Sequence, residues 1–372
     1  MSTASSSELG MPRLAALAGS SVATILALQA SSGAYPASPT FSAYRGYSWF
    51  RDGAFIADAM SAYGEVESAS RFHDWCARML VERGDQVAEI VAAAASGNPV
   101  SGNRMLATRF TLDGREGDDE WWDFQLDGYG TWLWSVAEHA RRHALSLEAW
   151  QSAIELAVDY LVSSWDRPCF DWWEEREDEI HVSTLGCIAA GLSAVAPELD
   201  GQRQARVIGA VGAIDSLIRS RGVSDGHLAK WLGSTEVDAS LVSVIYPLGV
   251  FGLDDPLARG TIEAIDHQLN VDGGVHRYLK DTFFGGGQWP LLSCMLGLAF
   301  SAMGDRDRAL DQLQWAARTV TITGDMPEQV DDHLLFPDRQ QEWIDRWGTV
   351  ATPLLWSHAM YVRLAVELGV ER

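Results

Sequence analysis

The sequence is poor in positive charge, in cysteine and in linker-like stretches. Lys and Arg together number 28 against 51 Asp and Glu, giving a formal net charge of −23 and a pI near 4.6. Such a surface repels nucleic-acid phosphates and anionic membranes, so neither is expected as a partner, whereas a neutral ligand is compatible. The four cysteines, Cys76, Cys169, Cys187 and Cys294, form no CxxC pair and no Cys/His cluster. That excludes a zinc ribbon and a disulfide framework, and it leaves free thiols in a cytoplasmic protein as the expectation. HExxH and GxSxG are absent, so zincin and serine-hydrolase chemistry have no support. The glycine run Gly285-Gly286-Gly287 is not followed by Gly-Lys-Ser/Thr, so it is no phosphate loop. No metal or organic cofactor is called for.

No uninterrupted apolar run is long enough to span a bilayer. Leu14 to Leu28 comes nearest, but Gly19, Ser20, Ser21 and Thr24 interrupt it, and Val22, Ile25 and Leu26 share one helix face. The expectation is a first core helix rather than a signal peptide. No Pro/Ser-rich tract divides the interior, and 47% hydrophobic residues suffice for one large core. Residues 1–372 therefore read as a single domain.

Helical periodicity dominates what is present. Val207, Val211, Ile214 and Ile218 repeat at helical spacing, as do Ile154, Ala157, Val158 and Leu161, and Leu292, Met295, Leu296 and Ala299. About twelve helices are predicted, near 11–31, 52–63, 66–96, 127–144, 147–165, 181–195, 203–221, 236–248, 257–270, 289–303, 306–318 and 351–369. Thr352-Pro353 reads as an N-cap and first helical position. Thr319–Thr323 is the best short strand. Loops rich in Trp, Gly and charged residues separate alternate helices, which predicts an all-α (α/α)6 barrel with its chemistry at one mouth.

Five of those loops carry the candidate chemistry. The first holds Tyr47, Trp49, Arg51 and Asp52. The Arg and Asp can donate to and accept from neighbouring sugar hydroxyls, and the rings offer flat faces; the alternative is a plain helix cap at Asp52. The second, Glu120-Trp121-Trp122-Asp123-Phe124-Gln125-Leu126-Asp127, offers Trp121 and Gln125, or else a buried aromatic cluster. The third is Trp172-Trp173-Glu174-Glu175-Arg176. Tryptophan neighbours desolvate Glu174, which raises its pKa and keeps it protonated as a general acid must be. Its alternative is an exposed acidic turn running on into Glu177, Asp178 and Glu179. The fourth contributes Arg277 and Trp289. In the fifth, Pro327 restricts the backbone before Glu328, although most acidic loop residues are simply solvated. Glu174 and Glu328, on separate loops among aromatic rings, are the paired carboxylates that glycoside hydrolysis requires.

Taken in order, these segments resemble glycoside hydrolase family 15, the glucoamylase family. Tyr47-Ser48-Trp49-Phe50-Arg51-Asp52, Trp173-Glu174-Glu175, Gly274 to Tyr278 with Trp289 beyond, Pro327-Glu328-Gln329, Asp238-Ala239-Ser240-Leu241 and Trp356-Ser357-His358-Ala359 match family segments across roughly residues 14–365. The resemblance implies an (α/α)6 catalytic domain, here without the β-sandwich domain of many bacterial members. It implies an inverting, exo-acting α-glucosidase with Glu174 as acid and Glu328 as base. Their carboxyls should stand about 6.5–9.5 Å apart with a water between. Tyr47, Trp49, Arg51, Asp52, Trp121, Gln125, Trp172, Trp173, Glu175, Arg277 and Trp289 are the expected sugar contacts. A tyrosine assists the base in several members, and Tyr44 and Tyr47 are the candidates. The expected substrate is a small neutral sugar, isomaltose or short isomalto-oligosaccharides, with α-1,4-glucosides and trehalose as alternatives. A phosphorylase, or a sugar-binding relative without catalysis, is the remoter reading.

Overall fold

Fourteen α-helices hold most of the chain in a computed structural model that describes residues 9–117, 121 and 124–371. They are α1 (Met11–Leu28), α2 (Phe50–Tyr63), α3 (Val66–Glu82), α4 (Gly84–Ala95), α5 (Asp127–His143), α6 (Gln151–Ser164) and α7 (Val182–Val195). The series continues with α8 (Gly201–Arg221), α9 (Leu241–Ile245), α10 (Pro256–Leu269), α11 (Pro290–Ala302), α12 (Arg306–Arg318), α13 (Gln340–Trp347) and α14 (Leu355–Glu367). Three small antiparallel pairs join loops: β1 (Tyr47–Trp49) with β2 (Arg109–Thr111), β3 (Val223–Ser224) with β4 (His227–Leu228), and β5 (Asn270–Val271) with β6 (Gly274–Val275).

Packing closes six helices into a ring, α2–α5–α7–α9–α11–α14 and back to α2. The helices between them in sequence, α1, α3, α6, α8, α10 and α12, pack outside that ring. This is the expected (α/α)6 barrel, with α4 and α13 as additions.

Burial explains the two rings. Along α7 nearly every residue from Val182 to Leu192 is buried, so the helix is apolar all round, as an inner helix must be. Outer α8 buries only Val207, Ala210, Ile214 and Ile218, a single stripe. Inner neighbours α5 and α7 meet backbone to backbone. A Cβ at Gly191 would stand 2.1 Å from Gly130 O, so only glycine allows this approach.

Several predicted elements differ. The 66–96 helix breaks at Arg83 (φ −108°, ψ 18°) into α3 and α4. The 236–248 helix shrinks to Leu241–Ile245, because Ala239 N bonds Arg277 O and the Asp238 carboxylate takes Ser240 N, fixing the preceding residues as loop. The last helix starts at Leu355, not at Pro353. Leu354 N bonds Met326 O and Leu355 N bonds Ala37 O, so an extended entry is tied to two other loops, and Thr352–Pro353 is a cis peptide outside the helix. Thr319–Thr323 is a turn, closed by Gly324 N to Thr321 O and Asp325 N to Thr321 Oγ1.

Helix α13 was not predicted. Helix α1 corrects a second expectation: by length and mean hydropathy (1.4) it could cross a membrane. Its stripe of Leu14, Ala18, Val22 and Ile25 is nevertheless buried, packing α1 against α14. Tyr361 OH donates to Leu14 O at 3.1 Å, and Ser21 Oγ meets His358 Nδ1 at 2.9 Å. All four cysteines are buried and unpaired, as expected.

Candidate active site

Each connection from an outer helix to the next inner helix ends at the N-terminus of that inner helix, and five of these connections, with the first turn of α2, supply the candidate residues. A pocket opens among them, lined by Trp49, Arg51, Asp52, Trp121, Trp172, Trp173, Glu174, Glu175, Arg277, Trp289 and Glu328. Of the expected contacts, Tyr47 and Gln125 lie outside that lining. Tyr47 opens β1, three residues before the start of α2, and its ring covers the Arg109 guanidinium at 3.8 Å. Gln125 is buried behind Arg51, accepting from it at 2.6 Å, and its side chain also bonds Glu174. Trp122 and Asp123, from the same predicted loop, lie outside the described residues.

Arg51 organises one wall. It reaches Asp127 Oδ2 at 3.0 Å, Asp52 Oδ2 at 3.5 Å and Glu174 Oε1 at 3.6 Å, and it is itself buried. Asp52 is not the helix cap, since α2 begins two residues earlier. Burial raises its carboxyl to about 6; Arg51 opposes that and Asp127 adds to it. Arg176 does not reach Glu174 but lies over the Trp231 ring.

Glu174 stands on a tight turn at φ +61°, and Arg176 follows at φ +56°. The turn is closed by Asp171, whose Oδ1 accepts from Trp173 N and Glu175 N, both at 2.9 Å. Trp49 Nε1 donates to Glu174 Oε1 at 2.9 Å. Burial lifts the Glu174 carboxyl to about 7, against the pull of Arg51, Trp49 and Gln125. It is thus half protonated near neutrality.

Glu328 is held by a different set of loops. Its N–H bonds Ala351 O at 2.8 Å, and Ser357 Oγ donates to Pro327 O at 2.8 Å. His358, buried, accepts from Met326 N at 2.9 Å through Nε2. Tyr44 OH donates to Glu328 Oε1 at 2.9 Å, which selects Tyr44 over Tyr47 as the partner of this carboxyl. Glu328 Oε2 has no hydrogen-bond partner among the described residues, so it is free to accept from a water or a hydroxyl. Burial lifts Glu328 to about 8, opposed by Tyr44 and Arg277 and raised further by the Glu174 charge. The two carboxyls therefore titrate as a pair, and between their two steps the site keeps one proton. The higher value belongs to Glu328, so the form with that proton on Glu174, which acid–base catalysis uses, is the less populated of the two.

The remaining wall is aromatic and cationic. Arg277 donates through Nε to Asp281 Oδ2 at 2.7 Å and lies beside Trp173, Phe283 and Trp289, each ring centroid 5.0–5.3 Å away. Sequence reasoning missed the outer lining: Phe41, Trp343 and Trp347. Trp343 and Trp347 come from α13, which has no buried residue and looks like an ordinary surface helix in sequence. The only available signal was the pairing of two Trp residues four apart.

Comparison with known proteins gives the family. The sequence profile described as glycosyl hydrolases family 15 matches residues 12–296. An isomaltose glucohydrolase of Kribbella flavida is 53% identical over 97% of this chain and 94% of its own length. A trehalase of Mycolicibacterium smegmatis is 28% identical over 71% of this chain and 42% of its own. Among solved structures, a glycosidase in complex with glucose superposes with a TM-score of 0.95 at 53% identity, covering 97% of this chain and 98% of that one. A bacterial glucoamylase complexed with acarbose shares the fold, with a TM-score of 0.74 at 20% identity over 95% of this chain and 56% of that one. The chain is a glycoside hydrolase and belongs to glycosyl hydrolases family 15.

Proposed function

We propose that this glycoside hydrolase is an inverting, exo-acting α-glucosidase that cleaves isomaltose and short isomalto-oligosaccharides to β-glucose. The observation that carries the proposal is one pocket holding two buried carboxyls, Glu174 and Glu328, tied to different loops and each raised toward neutrality. Glu174 gives its proton to the glycosidic oxygen as the bond from C1 breaks. Water attacks C1 from the opposite face, and Glu328 takes its proton. Arg51, Asp52 and Arg277 hold hydroxyls of the terminal glucose, and Trp49, Trp121, Trp172, Trp173 and Trp289 pack around it, with Glu175 at the rim. Tyr44 steadies the base, while Gln125 acts through Arg51 and Glu174.

The α-1,6 preference is supported by the 53% identity to an isomaltose glucohydrolase. The trehalase relatives, at 24–28%, support trehalose less. One core cluster runs from Leu14 to Val370, so we read the described residues as one catalytic unit. The reduced, buried cysteines fit a reducing compartment, and we place the enzyme in the cytoplasm.

Isomaltose, maltose and trehalose, each incubated with the enzyme while the anomer of newly released glucose is followed, test the reading. Isomaltose is expected to be cleaved fastest, with β-glucose appearing first. Initial α-glucose overturns inversion. Glu328→Gln is expected to lower kcat by about 10²–10⁴; full activity in it removes the base.

A further inference from the structure

The chain contains only two lysines, Lys230 and Lys280. Lys280 is exposed, but Lys230 is 3% exposed and surrounded by carboxylates. Its Nζ lies 2.9 Å from Asp238 Oδ2, 3.7 Å from Asp171 Oδ2 and 4.0 Å from Glu175 Oε2. It also stands 3.1 Å above the centre of the Tyr278 ring, whose hydroxyl donates to Glu175. A buried ammonium with this many partners is specific: it can contact two carboxylates and a ring face at once, which a planar guanidinium cannot do as compactly. Lys230 lines no part of the pocket.

Two of these carboxylates, Asp171 and Asp238, hold the turn that carries Glu174. Asp171 binds the turn's backbone through Oδ1, at Trp173 N and Glu175 N, while its Oδ2 has no hydrogen bond and faces Lys230 as its counter-charge. Asp238 accepts from Trp173 Nε1 with both oxygens, at 3.1 and 3.0 Å, and from Ser240 N and Oγ. Burial works against ionisation of Asp238, but Lys230 and Ser240 outweigh it and hold its carboxyl below the ordinary range. The turn needs such restraint. Glu174 and Arg176 both adopt left-handed backbone, which residues with a Cβ keep only where the surroundings impose it. Without the cation, Asp171 and Asp238 would be two buried like charges with no counter-ion. One would take up a proton, and its grip on the turn would weaken.

We propose that Lys230 is a positioning residue for the general acid: by holding Asp171 and Asp238 it fixes the turn that aims Glu174 at the leaving oxygen. The proposal rests on the reading of Glu174 as the acid, and the test separates the two. Isomaltose needs its leaving group protonated. α-Glucosyl fluoride does not: the C1–F bond breaks, fluoride ion departs, the water oxygen bonds to C1 and its proton passes to Glu328. A misaimed acid therefore harms the first substrate far more than the second, whereas general damage to the fold harms both.

The experiment measures kcat and KM on both substrates for the wild type, Lys230→Met, Lys230→Arg and Glu174→Gln. In Lys230→Met, kcat on isomaltose should fall about 30-fold, with KM and the fluoride rate moving less than about threefold, a loss smaller than removal of the acid itself. Lys230→Arg should recover part of that loss. Equal losses on both substrates, or no loss on isomaltose, overturn the proposal. Glu174→Gln should show the same selectivity more strongly; if it instead loses both activities equally, the acid assignment fails. Should Lys230→Met not fold, Asp238→Asn carries the test, because it removes the charge that Lys230 pairs with and loosens Trp173. The same selective loss is expected, and an equal loss on both substrates overturns the proposal.

Discussion

Replacing Trp49 by Phe should move the acid limb of the pH–activity curve, set by Glu174, upward by about one unit. The indole Nε1 donates to Glu174 Oε1 at 2.9 Å, and a hydrogen bond to the ionised form favours that form. Burial is the larger influence, and with Arg51, Trp49 and Gln125 opposing it the carboxyl comes to rest at about 7. A bond from a neutral donor to a buried carboxylate is worth about 1.5 kcal/mol. At about 1.4 kcal/mol per unit, its loss raises the Glu174 pKa by roughly one unit, to about 8. The protonated share at pH 7 then rises from about a half to about nine-tenths. Because the two carboxyls share one proton in the active form, the change also shifts that proton from Glu328 toward Glu174, where catalysis needs it. Phe keeps a ring between Tyr44 and Trp121, whose centroids lie 5.5 and 5.8 Å from that of Trp49. The assay is kcat/KM for isomaltose from pH 5 to pH 10. A limb that stays in place, or moves down, refutes the reasoning, since the bond would then not be made to the ionised acid.

Tyr44→Phe removes the donor to Glu328 Oε1, so the base should ionise less readily and the alkaline limb of the same profile, set by Glu328 at about 8, should move upward by about one unit. Trp343→Ala thins the aromatic wall where α13 meets the pocket, against Phe283 at 4.9 Å between centroids; the ratio of isomaltotriose to isomaltose turnover should rise several-fold. Gly191→Ala forces a Cβ to within 2.1 Å of Gly130 O, a backbone atom that cannot step aside, and should cost about 1–3 kcal/mol in denaturant unfolding. Both titrating carboxyls also predict a stability slope. In the unfolded chain Glu174 ionises at its ordinary value, whereas the fold holds its proton up to about 7. The contribution is therefore complete below about 4.5 and is lost as pH rises through 7, by roughly 3 kcal/mol for this group. Glu174→Gln should flatten the fall in thermal midpoint between pH 5 and 8.

The inner and outer helices were legible because burial writes itself into periodicity. A fully apolar segment such as 182–195 and a single-stripe segment such as 201–221 differ in sequence as they differ in place. The loops were legible for another reason. Tryptophan next to glutamate is an unusual local composition, and it marked the loops ahead of α5 and α7 as Glu120-Trp121 and Trp173-Glu174. What sequence could not show was which long-range partner each polar group meets. Arg51 was expected to bind sugar beside Asp52, and one of its guanidinium nitrogens is also taken by Asp127 and Gln125, 76 and 74 residues away. Tyr44 and Tyr47 are equivalent by composition, and only the fold turns one toward Glu328. The shortened α9 and the late start of α14 share this cause: backbone bonds to distant loops displaced what local propensity favoured.

The charges lining the pocket add a final argument for the chemistry. Asp52, Glu174, Glu175 and Glu328 face it against Arg51 and Arg277. With every group ionised the lining carries a surplus of two negative charges, and with Glu174 protonated a surplus of one. Glycosidic cleavage proceeds through an oxocarbenium-like transition state in which positive charge develops at C1. A largely buried site with one surplus negative charge is suited to that state more than to the neutral sugar that precedes it, and fixed charges in such a site act more strongly than in water. The surplus also explains why the arginines are tethered. Arg51 also pairs with Asp127 and Arg277 with Asp281, so part of each positive charge is already offset by a carboxylate outside the lining. Breaking the Arg277–Asp281 pair with Asp281→Asn would free Arg277 to lean on Glu175. The surplus would fall, and the loss should appear in kcat more than in KM, because it bears on the charged transition state and not on the neutral substrate.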